Sequence, residues 1–284
     1  MSSNECSGTS DCYPAGEVLK RDGAGISGRV AGDRDSQSAI RIVAAGDLHI
    51  RESNRDRIAE AFTAVRGSAD VIVLAGDLTT HGQVAQARLF GEACTACDMP
   101  VYAVLGNHDH HSGEADAVAA ELRSAGIHVL DRDFAILAVR GIEVGIVGVK
   151  GFVGGFTGSH LPDFGEPLLR EVYAETSREV EALDRGLAAI AHCPVRVVVM
   201  HYSPIEQTLA GEPESIYTML GSSRLAEPIR EHEPDLVVHG HAHAGSFSGS
   251  IGNVPVHNVS IPVMGQDFWL FELPVAARSA PPVH

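Results

Sequence analysis

A chain of 284 residues with 44% hydrophobic content can bury a sizeable core and fits one large domain. Lys and Arg total 21 against 37 Asp and Glu, a formal net charge of −16 that argues against a dedicated nucleic-acid or anionic-membrane binder. Five cysteines (Cys6, Cys12, Cys94, Cys97, Cys193) without dense spacing argue against a secreted disulfide framework. No basic-then-apolar leader opens the chain and no apolar run approaches the ~20 residues of a membrane span, so the expectation is a cytoplasmic protein.

Residues 1–38 are rich in Ser, Gly and Asp without apolar periodicity, which predicts a mobile tail; residues 39–275 read as the folded domain and 276–284 as a C-terminal tail. Within the domain the pattern predicts a strand at 40–45, a helix at 55–65, a strand at 71–75, a helix at 84–97 and a strand at 101–105. Short apolar strands alternating with helices imply parallel βαβ units. A helix around 115–125 precedes closely spaced strands at 127–130, 134–139 and 144–149, with a tight turn at Arg140-Gly141. A stretch with five glycines and three phenylalanines (Phe152, Phe156, Phe164) spans 151–165. A long helix at 168–191, a buried strand at 195–200, a helix near 225–231 and a strand at 236–239 follow, and short strands at 246–251, 254–259 and 268–273 close the domain. The fold class expected is α/β: two packed mixed β-sheets flanked by helices, parallel in the first half and antiparallel later.

Chemistry-bearing residues gather where predicted strands end. Gly46-Asp47-Leu48-His49 follows the first strand, and in an extended segment Asp47 and His49 would face the same side. Gly76-Asp77 ends the second, where a carboxylate can bridge two cations. Gly106-Asn107-His108-Asp109 closes the third, His201 ends the strand from 195, and Gly240-His241-Ala242-His243 ends the strand from 236. Open α/β sheets place ligands at the carboxyl ends of strands, so these distant residues can converge.

In this order the motifs Asp-x-His, Gly-Asp, Gly-Asn-His-Asp, His and Gly-His-x-His resemble the calcineurin-like metallophosphoesterase family, from Asp47 to His243. The resemblance implies a four-layer sandwich and a dinuclear centre. One metal would take Asp47, His49 and His243, the second Asn107, His201 and His241, with Asp77 bridging. His108 would protonate the leaving oxygen or stabilise charge, oriented by Asp109; a purely structural pairing of these two is the alternative. Nitrogen and oxygen donors without thiolate suit two divalent transition-metal ions, with Mn, Fe or Zn foremost. The implied reaction is hydrolysis of a small phosphorylated substrate by in-line attack of a metal-bridging hydroxide, with phosphodiesters ahead of phosphomonoesters.

Competing readings make distinct demands. A nuclease calls for a basic groove or an added DNA-binding domain, and the sequence displays neither. A metal-binding scaffold or interaction protein would be expected to have lost ligands, whereas every position here is filled. Residues 151–165 read either as a flexible flap contacting a leaving group or as a surface loop anchored by its aromatics. Cys94 and Cys97 have CxxC spacing inside a predicted helix, where small buried side chains explain them without redox or zinc chemistry. His239 reads as a strand residue packed beneath the site.

Overall fold

The structure, a computed structural model, describes residues 39–275; the expected tails at 1–38 and 276–284 lie outside the described residues. In chain order the strands are β1 (Ala39–Ala45), β2 (Val71–Ala75), β3 (Val101–Val104), β4 (His128–Val129), β5 (Asp133–Val139), β6 (Ile142–Gly148), β7 (Gly155–Phe156), β8 (Ser159–His160), β9 (Val195–Val199), β10 (Leu236–His239), β11 (Ser248–Ile251), β12 (Val254–Asn258) and β13 (Trp269–Pro274). The helices are α1 (Arg55–Ala64), α2 (Val84–Cys94), α3 (Ala115–Ser124), α4 (Pro167–Ala189), α5 (Tyr217–Leu220), α6 (Ala226–His232) and α7 (Ile261–Met264).

The first sheet runs β13-β1-β2-β3-β4 and the second β11-β12-β10-β9-β6-β5. Strands β1 to β4 are parallel, and β13 pairs antiparallel with β1. The expectation of later antiparallel strands holds for β13, for the hairpin β7-β8 and at the edges of the second sheet. Its centre, β6-β9-β10-β12, is parallel, with β5 and β11 antiparallel outside it. The physical reason is that α4 and α6 serve as crossovers between β6, β9 and β10, so these strands must run the same way.

Side-chain alternation builds the layers. On β1, Ile40, Ile42 and Ala44 enter the core between the sheets, while Val43 and Ala45 pack against α1 to α3. Strand β2 is buried on both faces, which explains its unbroken apolar sequence Val71 to Ala75. Helix α1 closes its side of the core with Ile58, Ala61 and Phe62, one helical stripe. Complete burial of a side chain like that of Phe62 contributes about 2–3 kcal/mol. On the far side Ala182, Leu183 and Leu187 of α4 and Ile229 of α6 cover the second sheet. The result is the four-layer arrangement of helices, sheet, sheet and helices. Among the described residues no helix is long and apolar enough to cross a membrane.

Candidate metal centre

The carboxyl ends of β1, β2, β3, β9 and β10 open on one rim, and the turns leaving them carry every sequence-predicted site residue. The turns are sharply bent rather than extended. Asp47, His49, Asp77 and His241 have φ of 60°, 45°, 51° and 71°, the left-handed region, which costs an L-residue about 1–2 kcal/mol. Asp47 and His49 therefore meet through two backbone reversals, not through strand alternation, while Leu48 between them is buried in the helix-side core. Glycine precedes these turns because the backbones nearly touch. A Cβ on Gly106 would overlap the Asp77 carboxylate, and one on Gly240 would overlap that of Asp47.

Three donor groups form on this rim, each with its ligand atoms within 4.8 Å of one another: Asp47, His49 and His243; His49, Asp77 and His108; Asp77, His201 and His241. Asp77 and His49 each belong to two of them. Asn107 joins through Oδ1, 2.8 Å from His201 Nε2. His49 Nε2 lies 3.8 Å from Asp77 Oδ2 and 4.0 Å from Asp47 Oδ1, and His243 Nε2 lies 2.8 Å from Asp47 Oδ1.

Hydrogen bonds fix which ring nitrogen faces inward. His201 Nδ1–H donates to the Ala75 carbonyl at 2.8 Å, so its Nε2 carries a lone pair. That lone pair faces Asn107 Oδ1 at 2.8 Å and Asp77 Oδ1 at 3.5 Å. Three acceptor atoms, His201 Nε2, Asn107 Oδ1 and Asp77 Oδ1, thus converge, an arrangement suited to a cation. His108 Nδ1–H donates to the Thr80 carbonyl at 2.8 Å, and its Nε2 lies 4.0 Å from Asp77 Oδ2.

The electrostatics point the same way. Asp47 and Asp77 are buried, and among the described residues neither has a Lys or Arg within ion-pair distance. Burial, together with the charges of Asp47 and Asp109, pushes the Asp77 carboxyl well above the usual carboxylate range. For Asp47 burial acts upward too, but the hydrogen bond and charge of His243 outweigh it and hold the carboxyl low. Burial drives His201 well below its ordinary value and lowers His49 and His241 to about 4, so these imidazoles are neutral donors near pH 7. Asp77, buried without a compensating cation among the neutral imidazoles of His49, His201 and His241 and beside the Asp47–His243 pair, fits a site for divalent cations.

Asp109 departs from the expected geometry. Its fully buried carboxylate accepts from Leu78 N (3.2 Å), Thr79 N (2.8 Å), Thr79 Oγ1 (2.7 Å) and Gly106 N (2.9 Å). The His108 ring is oriented by the Thr80 carbonyl instead, and Asp109 clamps the turn after β2 to the turn after β3. No sequence signal marks that carbonyl, because any residue at position 80 would supply one. His239 is fully buried, with Nδ1–H donating to the Gly240 carbonyl and Nε2 meeting Thr208 Oγ1, both at 2.8 Å. Cys94 and Cys97 are free; Cys94 is buried, and α2 stops there, short of the expected 97.

The stretch 151–165 is tied to the loop at 202–221 that follows His201. Gly154 N donates to the Thr218 carbonyl and Gly155 N to that of Gly221. Phe156 packs with Leu209, Leu220 and Ala242, and Phe152 meets the Tyr202 ring at 5.7 Å, so two of the three phenylalanines are anchors; Phe164 is 78% exposed. The Tyr202 ring lies 4.4 Å from that of His241 and 5.5 Å from that of His201.

Comparison with known structures returns the same architecture at low identity. The protein TT1561 of Thermus thermophilus is 19% identical with a TM-score of 0.55, covering 84% of this chain and 100% of its own. A phosphopantetheinyl hydrolase from Mycobacterium tuberculosis is 16% identical at 0.60, covering 86% and 99%. GAP50, described as the anchor in the inner membrane complex of Plasmodium, is 15% identical at 0.53, covering 79% and 72%. No curated protein sequence matches significantly. The family model for calcineurin-like phosphoesterases matches residues 40–245, which carry all five strand-end motifs, and the chain belongs to that family of metal-dependent phosphoesterases.

Proposed function

We propose that Asp47, His49 and His243 hold one divalent transition-metal ion, that Asn107, His201 and His241 hold a second, and that Asp77 is shared between them. The site then hydrolyses phosphate esters, with phosphodiesters preferred. The observation that carries this reading is the cluster around Asp77, in which a buried carboxylate, the Asn107 amide oxygen and the imidazoles of His201 and His241 converge without a Lys or Arg to compensate. The all-nitrogen-and-oxygen donor set favours Mn, Fe or Zn. When bound, the two cations supply Lewis-acid polarisation of a phosphoryl oxygen and a nucleophile drawn from water near neutral pH.

The chain's own residues do the rest. His108, fixed at Nδ1 by Thr80, presents Nε2 to the same space, where it holds a proton for the departing oxygen. Asp109 positions rather than reacts: by binding Leu78, Thr79 and Gly106 it sets the separation of Asp77 from Asn107. Two divalent ions against the carboxylates of Asp47 and Asp77 leave a charge of about +2, which a phosphodiester monoanion and one hydroxide equivalent neutralise. A phosphomonoester dianion overshoots that balance. The fold alone does not select catalysis, since one structural neighbour is described as a hydrolase and another as an anchor; the complete donor set does.

The test is metal analysis and turnover on one preparation. Protein reconstituted with Mn should carry close to two ions per chain and cleave bis(4-nitrophenyl) phosphate faster than 4-nitrophenyl phosphate. Full activity after chelation would end the metal reading, and a faster monoester would reverse the substrate preference.

A further inference from the structure

One cation stands on the metal rim without belonging to the donor set. Lys150 follows β6, and its carbonyl oxygen accepts from His201 N at 3.0 Å and Tyr202 N at 3.1 Å, which fixes it beside a candidate ligand. The side chain is only partly exposed. Its ammonium sits 4.2 Å from the Phe152 ring centroid and 5.2 Å from that of Tyr202. The Tyr202 ring in turn packs against the rings of His201 and His241, so a single aromatic ring separates the ammonium from two candidate ligands. A small cavity is lined by Lys150 and by His110, which belongs to the same turn as His108.

A structural ion pair does not account for this lysine. Among the described residues no carboxylate lies within ion-pair distance of it, and its one hydrogen bond runs to the Gly151 carbonyl at 3.1 Å. Of the acidic groups in this corner, Asp116 and Asp131 line the cavity together with Arg123, beyond ion-pair distance of the ammonium, and Glu175 and Glu179 have other partners. Glu179, fully buried, accepts from Arg132 Nε at 2.7 Å and Gly151 N at 2.9 Å, and Glu175 pairs with Arg132 and Arg178. An ammonium has three N–H donors, so two remain unspent in a half-buried, aromatic-walled position where leaving them unmade is costly.

We propose that Lys150 binds a second anionic group of the substrate, adjacent to the phosphoryl group held at the metal rim. The site is thereby selective for substrates with two neighbouring negative groups, such as diphosphate diesters, over isolated phosphodiesters. The proposal rests on the phosphoesterase reading and deepens it. Phe152 and Tyr202 fix the ammonium by its π contacts, so the second anion meets a charge already in place.

The experiment compares Mn-loaded wild type, Lys150→Met and Lys150→Arg on bis(4-nitrophenyl) phosphate and bis(4-nitrophenyl) diphosphate, with cleavage followed by chromatography. Wild type should show the lower KM on the diphosphate. Lys150→Met should raise that KM about 10- to 100-fold, as for loss of one charge-assisted hydrogen bond. It should leave metal content unchanged and the monophosphate diester within about twofold, while Lys150→Arg recovers most of the loss. If Lys150→Met lowers the thermal midpoint, Lys150→Gln takes its place. An equal loss on both substrates, no loss on either, or no wild-type preference for the diphosphate overturns the role of Lys150 alone. Wild type that cleaves neither substrate overturns the phosphoesterase reading, and this proposal with it.

Discussion

Between the two sheets the candidate ligands divide by charge. Turns after β1, β2 and β3 supply Asp47, Asp77 and Asn107 together with His49 and His108, so both carboxylates come from the first sheet. Turns after β9 and β10 in the second sheet supply imidazoles alone, His201, His241 and His243, and β6 leads to Lys150. The backbones differ as well: Asp47, His49 and Asp77 all bend through the left-handed region in the first sheet, against His241 in the second. Negative charge is thus concentrated on short, strained turns of one sheet, and the other closes the site with imidazoles. A cation pair bound there would relieve the repulsion between the first-sheet carboxylates and join them to second-sheet nitrogen.

That division predicts unequal effects of ligand loss. Asp77→Ala should remove both metals and lower turnover by more than about 10³-fold, because the shared carboxylate contacts both donor groups. His243→Ala, which deletes a half-exposed donor that contacts only one donor group, should weaken one ion and cost less activity. Elemental analysis beside turnover reads both. Equal metal loss in the two variants would break the contrast between the sheets. His108→Ala comes next: metals retained, turnover down about 10²–10⁴-fold, with the deficit shrinking for esters of more acidic leaving groups. A rate unchanged across leaving groups would reduce His108 to a structural part of the Thr80 contact.

The same contrast shows what the sequence could express. Strand-end placement of the motifs was legible, since apolar runs stop at Gly-Asp, Gly-Asn and Gly-His, and the structure gathers those residues on one rim. The reason Asp47 and His49 converge was not legible: alternation predicts a shared face, whereas positive φ at both residues does the turning. Asp109 looked like the partner of its neighbour His108, yet its four donors come from residues 78, 79 and 106, a contact set by how β2 and β3 sit side by side. The parallel centre of the second sheet was missed because the long stretch between β6 and β9 leaves strand direction to helix packing. Nothing in the sequence singles out Lys150, although it follows a strand as the motifs do, because a single lysine carries no pattern.

Asp109 offers a smaller and more local test of the first sheet's turns. In Asp109→Asn the amide cannot satisfy all four donors. Whichever way it faces, its NH₂ meets either the N–H groups of Leu78 and Gly106 or the N–H and hydroxyl of Thr79. The expected cost is about 1–3 kcal/mol in chemical denaturation, with metal affinity falling as Asp77 and Asn107 lose their fixed separation. Unchanged stability would show that the clamp between the two turns is dispensable.

The second sheet also uses an imidazole purely for packing, and this gives the smallest predicted effect. His257 on β12 has its ring 4.9 Å from Phe247 and 4.9 Å from Phe271 of the first sheet, and its Nδ1 is buried without a partner. Burial lowers its pKa to about 4, below the ordinary value of 6.5, so the unfolded chain binds a proton in the interval where the folded one does not. The stability that this group contributes is present above pH 6.5 and declines as pH falls through about 4. His257→Phe keeps a ring between the aromatic neighbours and removes both the orphaned nitrogen and the titration. Denaturation midpoints of the metal-loaded proteins should therefore coincide or favour the variant near pH 7, and the wild type should lose more stability than the variant on going from pH 6.5 to 4. Parallel curves would mean that His257 takes up its proton without disturbing the aromatic contact, and that the acid sensitivity of this sheet resides in its rim imidazoles instead.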